Sequence, residues 1–285
     1  MKKKWWMAGG AFGVGAAMLL ASGFSAMAST SGYEAYDAAL ERTTQAVSLT
    51  ARADLTVTDN GKSLFAGASE IRWNEAQRAG SVVATAHRDG ETHGANIYVQ
   101  DGQFVVKTAD SDAYRVKPLD GETDKGRSEK PHGPPQAALQ LFDALTGNVR
   151  ELATVETAPD GGQRAALHLS GSRVPAIANA LGALATAGLS ERGAAGAELP
   201  KLTEAVKVER IDLDADIGAD GRLEEQTASI VLTGRDEAGV KHELELALRI
   251  DFSDYDVTTP ERIDLAGKTV EPLVDAKGPH GGWRR

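Results

Sequence analysis

The run DLDADIGADGRLEE places Asp212, Asp214 and Asp216 at alternate positions, the spacing with which a calcium loop begins. An EF-hand loop started at Asp212 needs glycine at its sixth place and glutamate at its twelfth. Those places hold Ile217 and Leu223. A loop started at Asp216 puts Gly221 correctly, but Thr227 falls where the bidentate acid belongs. Ile211, Leu213, Ala215 and Ile217 alternate with the acids, as a half-buried strand requires. The expectation is a solvated acidic strand face and no metal.

The other chemistry-bearing residues are scattered. Histidines stand at 87, 93, 132, 168, 242 and 280, and only His87 and His93 are near neighbours, flanking Asp89-Gly90. A three-residue loop sets those two rings on one face of a hairpin; a two-residue loop sets them on opposite faces. No third ligand accompanies them, so exposed turn histidines are expected. Ser170 and Ser172 flank Gly171 without a Gly-x-Ser-x-Gly elbow. Gly161-Gly162-Gln163 reads as a turn, and neither a phosphate-binding loop nor a dinucleotide fingerprint occurs. The carboxylates are many, but nothing singles out a pair for glycoside hydrolysis. With no cysteine, disulfides, thiolate metal sites and cysteine nucleophiles are excluded. The expectation is therefore no enzyme, no catalytic residue and no cofactor.

The elements that must position any site begin at Tyr33. Tyr33, Tyr36, Leu40 and Val47 fall near one helical face and Glu34, Glu41 and Arg42 on the other, predicting a helix over Tyr33–Ala46. Period two follows: Leu49, Ala51, Ala53, Leu55 and Val57 alternate with polar residues up to Asn60-Gly61, a strong hairpin signal. Asp89-Gly90, Asp101-Gly102, Asp160-Gly161-Gly162, Asp220-Gly221 and Gly239 punctuate later strand-like segments, including Ala95–Val99, Gln103–Lys107 and Arg222–Thr233. Val206–Ile217, Leu223–Leu232 and Lys241–Phe252 read as three long antiparallel strands. Two stretches interrupt this meander. Residues 118–135 are charged and rich in Gly and Pro, reading as an exposed loop, and Pro134-Pro135 open a helix over Gln136–Thr146 with Leu139, Phe142 and Leu145 on one side. Val174, Ile177, Leu181 and Leu184 recur at helical spacing over Val174–Leu189, a helix apolar around most of its girth that needs burial on more than one side. The fold class expected is α+β, a curved antiparallel sheet or half-barrel with helices packed on its concave face.

The ends address the compartment. Lys2, Lys3 and Lys4 precede an apolar run from Trp5 to Leu20, and Ala26-Met27-Ala28 supplies small residues where a signal peptidase reads. Residues 1–28 are expected to be a signal peptide, 29–276 a single domain and 277–285 a frayed tail. The rival reading is an uncleaved anchor, since Trp5–Ala28 could span a bilayer core of about 30 Å. The chain carries 31 Lys and Arg against 41 Asp and Glu, a formal net charge of −10, and loss of a leader holding three lysines makes it more acidic still. Such a charge argues against nucleic acid or an anionic membrane surface as partner.

Several of these stretches together resemble the bacterial lipoprotein-carrier superfamily, the group of the outer-membrane carriers LolA and LolB and of the mycobacterial LppX and LprG-type lipoproteins. The resemblance rests on Tyr33 with Tyr36, Thr56 to Asn60-Gly61, Tyr98 before Asp101-Gly102, LSGSRVPAIANAL from Leu169 to Leu181, and DFSDYDVTTPERIDL from Asp251 to Leu265. It covers most of residues 33–270, and it looks closest to Gram-positive envelope members of that group. It implies a half-barrel closed by helices over an apolar cavity that holds acyl chains, with Phe142, Ile177, Leu181 and Leu184 lining the ligand site. The departure is Ala26-Met27-Ala28-Ser29 where lipidated members carry a lipobox cysteine, so membrane contact would come only through an uncut leader. The function expected is an exported, non-enzymatic cell-envelope protein that binds a lipid or other apolar ligand. The alternative is an extracytoplasmic interaction or sensory module with a filled core and an envelope protein as partner, acting through strand edges or residues 118–135.

Overall fold

The structure, a computed structural model, describes residues 31–88, 90–119, 152–174 and 199–273. One α-helix lies among the described residues, α1 at Ser31–Thr44, close to the predicted span. Tyr33, Tyr36 and Ala39 are its buried face, while Val47, expected on that face, lies beyond the helix end and is half exposed. The segments expected to form the helices at 136–146 and 174–189 lie outside the described residues, apart from Val174, as do the leader and the tail.

Twelve strands follow. The first six are β1 (Ser48–Asp59), β2 (Lys62–Asn74), β3 (Ala79–Arg88), β4 (Glu91–Gln100), β5 (Gln103–Thr108) and β6 (Tyr114–Pro118). The rest are β7 (Thr154–Thr157), β8 (Gln163–Ser170), β9 (Glu204–Ile217), β10 (Leu223–Arg235), β11 (Lys241–Ser253) and β12 (Val270–Pro272). They form one open sheet in the order β12-β6-β5-β4-β3-β2-β1-β11-β10-β9-β8-β7. Two consecutive meanders, β1 to β6 and β7 to β11, are thus joined by the antiparallel pairing of β1 with β11. The turn signals act as expected: Asn60 and Gly61 both take positive φ, 49° and 78°, and close the two-residue hairpin between β1 and β2. The half-barrel expectation fits this open sheet, with one correction: β12 pairs with β6 in parallel, so the sheet is not wholly antiparallel. One α-helix packs on it among the described residues.

Alternation gives the sheet two unlike faces. The inner face carries Ala51, Ala53, Leu55 and Val57 of β1 beside Phe252, Ile250, Leu248 and Leu246 of β11. Helix α1 covers one end of this face, setting Tyr36 and Ala39 against Ala165, Ala215, Ile217 and Leu223. It comes close because residue 32 is glycine: a Cβ there would stand 2.5 Å from the Thr154 carbonyl oxygen. On the outer face the chain after β11 runs across the strands. Thr258 bonds Thr50, Asn74 donates to the Thr258 carbonyl, Glu261 N–H donates to Ser81, and Gln100 exchanges two hydrogen bonds with Ile263. This crossing segment ends as β12.

Leu223 is wholly buried where α1 meets the β9–β10 turn. Leu223→Ala is expected to cost about 2–5 kcal/mol in urea unfolding, the range for deleting a packed leucine side chain. Val83→Ala, at a 37% exposed position of the outer face, is expected to stay within about 0.5 kcal/mol of the parent.

Candidate functional site

The inner face is mostly apolar from β8 to β5, and its relief follows from register. Ala53, Ser69, Ala84 and Ala95 lie opposite one another across β1, β2, β3 and β4. At about 4.8 Å between strands, this row of short side chains runs for roughly 15 Å across the sheet. The parallel row Ala51, Ile71, Val82 and Ile97 stands higher on one side. Farther along β2 on either side of the row, two aromatic rings come close over glycines: a Cβ on Gly67 would meet the Phe65 ring at 2.9 Å, and one on Gly80 the Trp73 ring at 2.8 Å.

At the helix end the face is filled. The cavity there, lined by Gly32, Tyr33, Tyr36, Ala165, Leu213 and Gln226 among others, has a volume of about 40 Å³, room for a water or two but not for an acyl chain. Burial pushes the Tyr36 phenol far up, against a hydrogen bond from Gln226 that pulls it down. The C-terminal end of α1 is fastened through Thr43, which accepts from the Leu223 N–H at 2.9 Å, while the Tyr255 hydroxyl donates to the Leu223 carbonyl at 2.5 Å. Burial pushes Tyr255 up to about 12.

The four residues expected to line the cavity, Phe142, Ile177, Leu181 and Leu184, lie outside the described residues. The chain positions that flank three of them are described, and both sit on the inner face. Val174 packs with Leu169, Val208 and Leu232, and Leu199 packs against Val57, Phe65 and Ala86.

The outer face holds the acids that imitate a calcium loop, and their strand placement is as expected. In β9, Asp212 faces Arg210 at 2.8 Å, Asp214 faces His168 at 3.0 Å, and Asp216 takes a bidentate pair from Arg164 at 2.7 and 2.9 Å. Arg164 holds the Asp216 carboxyl below its usual range. The lattice continues through Arg249, which bridges Glu225 and Asp251, then through Arg52 to Glu70 and Arg72 to Glu261. Opposite charges fall next to one another across strands, as Arg164 with Asp216, and along one strand, as Arg210 with Asp212; these pairs are solvated and confer solubility more than stability. His87 and His93 stand on opposite faces, because the loop between β3 and β4 has two residues and pairs His87 with Thr92 and His93 with Ala86. Among the described residues, no group of three or more His, Asp or Glu side chains is arranged to hold a metal ion.

One cluster was invisible to the sequence. Asp59 and His242, 183 residues apart, meet at 2.8 Å on the inner face at the end remote from α1. Nothing local to either residue signals the contact, which exists only through the β1–β11 pairing.

No family model matches the chain, and no curated protein matches it. Solved structures similar to it include a LolA superfamily protein from Nitrosomonas europaea, 10% identical over 85% of this chain and 98% of that one, at a TM-score of 0.23. A β-barrel-like protein of a domain of unknown function from Brucella abortus is 11% identical over 73% of this chain and 99% of that one, at 0.19. The ywiB protein from Bacillus subtilis is 8% identical over 74% of this chain and 94% of that one, at 0.16. The first bears the name of the group that the sequence resembles. At TM-scores this low the likeness decides nothing about a site, which has to follow from this chain's own residues.

Burial of Tyr255 favours its neutral phenol, so the stability it lends is complete below pH of about 10 and is lost as pH rises toward 12. Absorbance titration of the phenols is expected to lose a step near that value in Tyr255→Phe. The same variant is expected to be about 1 kcal/mol less stable at neutral pH, the usual worth of one hydrogen bond.

Proposed function

We propose that the protein is an exported, non-enzymatic cell-envelope protein that carries a lipid or other apolar ligand against the inner face of its sheet. The observation that supports this most is the row of small side chains crossing β1 to β4. Its alanines, Ala53, Ala84 and Ala95, are buried, and the row lies away from β7 to β10, the strands on which α1 packs. In this reading the sheet is one wall of the site, and Phe142, Ile177, Leu181 and Leu184 belong to the opposite wall. The described positions on either side of the last three, Val174 and Leu199, both pack against the inner face. Binding would draw on roughly 25 cal/mol for each Å² of apolar surface buried, less the cost of association. Cleavage after Ala28 would release the carrier outside the cytoplasm; an uncut leader would tether it.

The packed helix end, with only about 40 Å³ of space, favours a second reading in which the whole interior is filled and the protein acts as an interaction module. Its contacts would then be strand edges or residues 118–135.

Native mass spectrometry of the purified protein, with a lipid extract, is expected to reveal a co-purifying apolar ligand, and a fluorescent fatty acid is expected to bind and be displaced by it. Ala84→Phe sets a large ring in the middle of the row and is expected to weaken that binding at least tenfold; because Ala84 is buried, it is also expected to cost about 1–3 kcal/mol in urea unfolding while the β-sheet circular dichroism is kept. No co-purified lipid together with no probe binding overturns the carrier reading. Deleting residues 120–130 leaves stability unchanged on either view and weakens partner capture only if the module reading holds.

A further inference from the structure

His242 is held between two carboxylates at the end of the sheet remote from α1. Its side chain is 12% exposed, with Nδ1 2.8 Å from Asp59 Oδ2 and Nε2 3.4 Å from Asp236 Oδ2. The three residues come from different places: Asp59 ends β1, His242 opens β11, and Asp236 lies in the turn between β10 and β11. Asp236 is itself fixed, accepting from the backbone N–H groups of Ala238 and Val240 at 2.9 and 2.8 Å. Two buried atoms of the cluster, Asp59 Oδ1 and His242 Nε2, have no hydrogen-bond partner among the described residues, so the approach of Nε2 to Asp236 is an ion-pair distance and not a formed hydrogen bond. Beside this cluster, Asn60 locks the same two hairpins together: its backbone N–H donates to the Glu243 carbonyl, and its side chain bonds Lys241 and Glu243.

A neutral imidazole has one N–H, whereas the protonated ring has two. Only the imidazolium can donate toward both carboxylates at once. A neutral ring turns a lone pair toward one of them, inside a site with little water to soften the clash. Few other charges bear on the ring. Lys62 lies opposite Asp59 in register but is exposed, and Glu237 of the β10–β11 turn is paired with Lys201 at 3.3 Å. Gly234, opposite His242 on β10, offers no side chain, and Arg235, Lys241 and Glu243 belong to the outer face by alternation.

We propose that Asp59, His242 and Asp236 form a proton-operated clamp joining the β1–β2 and β10–β11 hairpins, closed when the ring is protonated and loosened when it is neutral. The hydrogen bond that the ring donates to Asp59 outweighs the opposing effect of burial and raises the histidine above its ordinary value. The clamp's stabilisation is therefore complete below about pH 6.5 and is lost as pH rises through the raised folded value. This clamp does not depend on the apolar-ligand reading.

The test uses the full chain with isotopically labelled histidine. Ring signals are followed by NMR from pH 5 to 9, with the His242 signal assigned by its absence in His242→Gln. Amide exchange at Asn60 and Val240 is measured over the same range and corrected for the intrinsic effect of pH. The ring is expected to titrate above 6.5, and protection of both amides to fall about tenfold for each unit by which it exceeds that value. Asp236→Asn is expected to lower the ring's midpoint and to shift the exchange step with it. His242→Gln is expected to show no step. A wild-type ring that titrates at or below 6.5 overturns the clamp, as does an exchange step that fails to follow the ring in the parent and in Asp236→Asn. Those two readouts decide the matter even if His242→Gln does not fold.

Discussion

The ladder between β1 and β11 is the interaction on which the molecule depends. Ten registered pairs, from Thr50 with Ser253 to Asp59 with Leu244, join the two ends of the described chain at the middle of the sheet. Every other antiparallel pair in the sheet links strands consecutive in the chain, most of them by short turns and β8 with β9 across residues 171–203. Without the central ladder the two meanders would be joined through the crossing segment and β12, and each would expose a further edge of unpaired backbone groups and half of an apolar face. With it, Ala53, Leu55 and Val57 meet Ile250, Leu248 and Leu246, and the inner faces of both halves become one surface. Pairings this distant in sequence carry a large loop-closure cost and make folding slow.

The two faces then divide the work. The outer face spends its charged residues on cross-strand partners, so that a chain with many acids still presents few uncompensated charges there. The inner face is uneven by design of its register. Large residues cluster near α1 and along β8 to β11, where Leu167, Leu169, Val208 and Leu232 form one packed group. Short residues concentrate across β1 to β4. A carrier needs such unevenness, because a uniformly packed core leaves no apolar volume to lend to a guest.

Local signals in the sequence were faithful where the physics is local. Asn60-Gly61 takes the backbone conformation its residues allow, and the alternation in Ile211–Ile217 and Leu244–Phe252 places acids outside and aliphatics inside. Val47 misled, since helical spacing alone cannot say where a helix stops. The parallel strand β12 has three residues, too few for any period to register. What is non-local was illegible. The row of Ala53, Ser69, Ala84 and Ala95 consists of unremarkable residues in four strands and acquires meaning only from their register. The same holds for His242, whose carboxylate partners are contributed by a distant strand end and a turn. The resemblance to lipoprotein carriers supplied the expectation of a sheltered apolar space; the sheet that would form one wall of such a space is described, and the proposed opposite wall at Phe142 and Ile177–Leu184 lies outside the described residues.

The segment after β11 adds something the strands cannot give themselves. Backbone ladders resist separation of strands, but a strand can still slide past its neighbour by two residues and keep its faces correct. A chain laid crosswise, tied to Thr50, Asn74, Ser81 and Gln100 on four successive strands, has one length and one set of anchor points. Any slip of β1 through β4 against one another would tear those ties in turn. The crosswise segment is a gauge that holds the first meander to a single alignment, and the row of short side chains on the opposite face stays straight because of it.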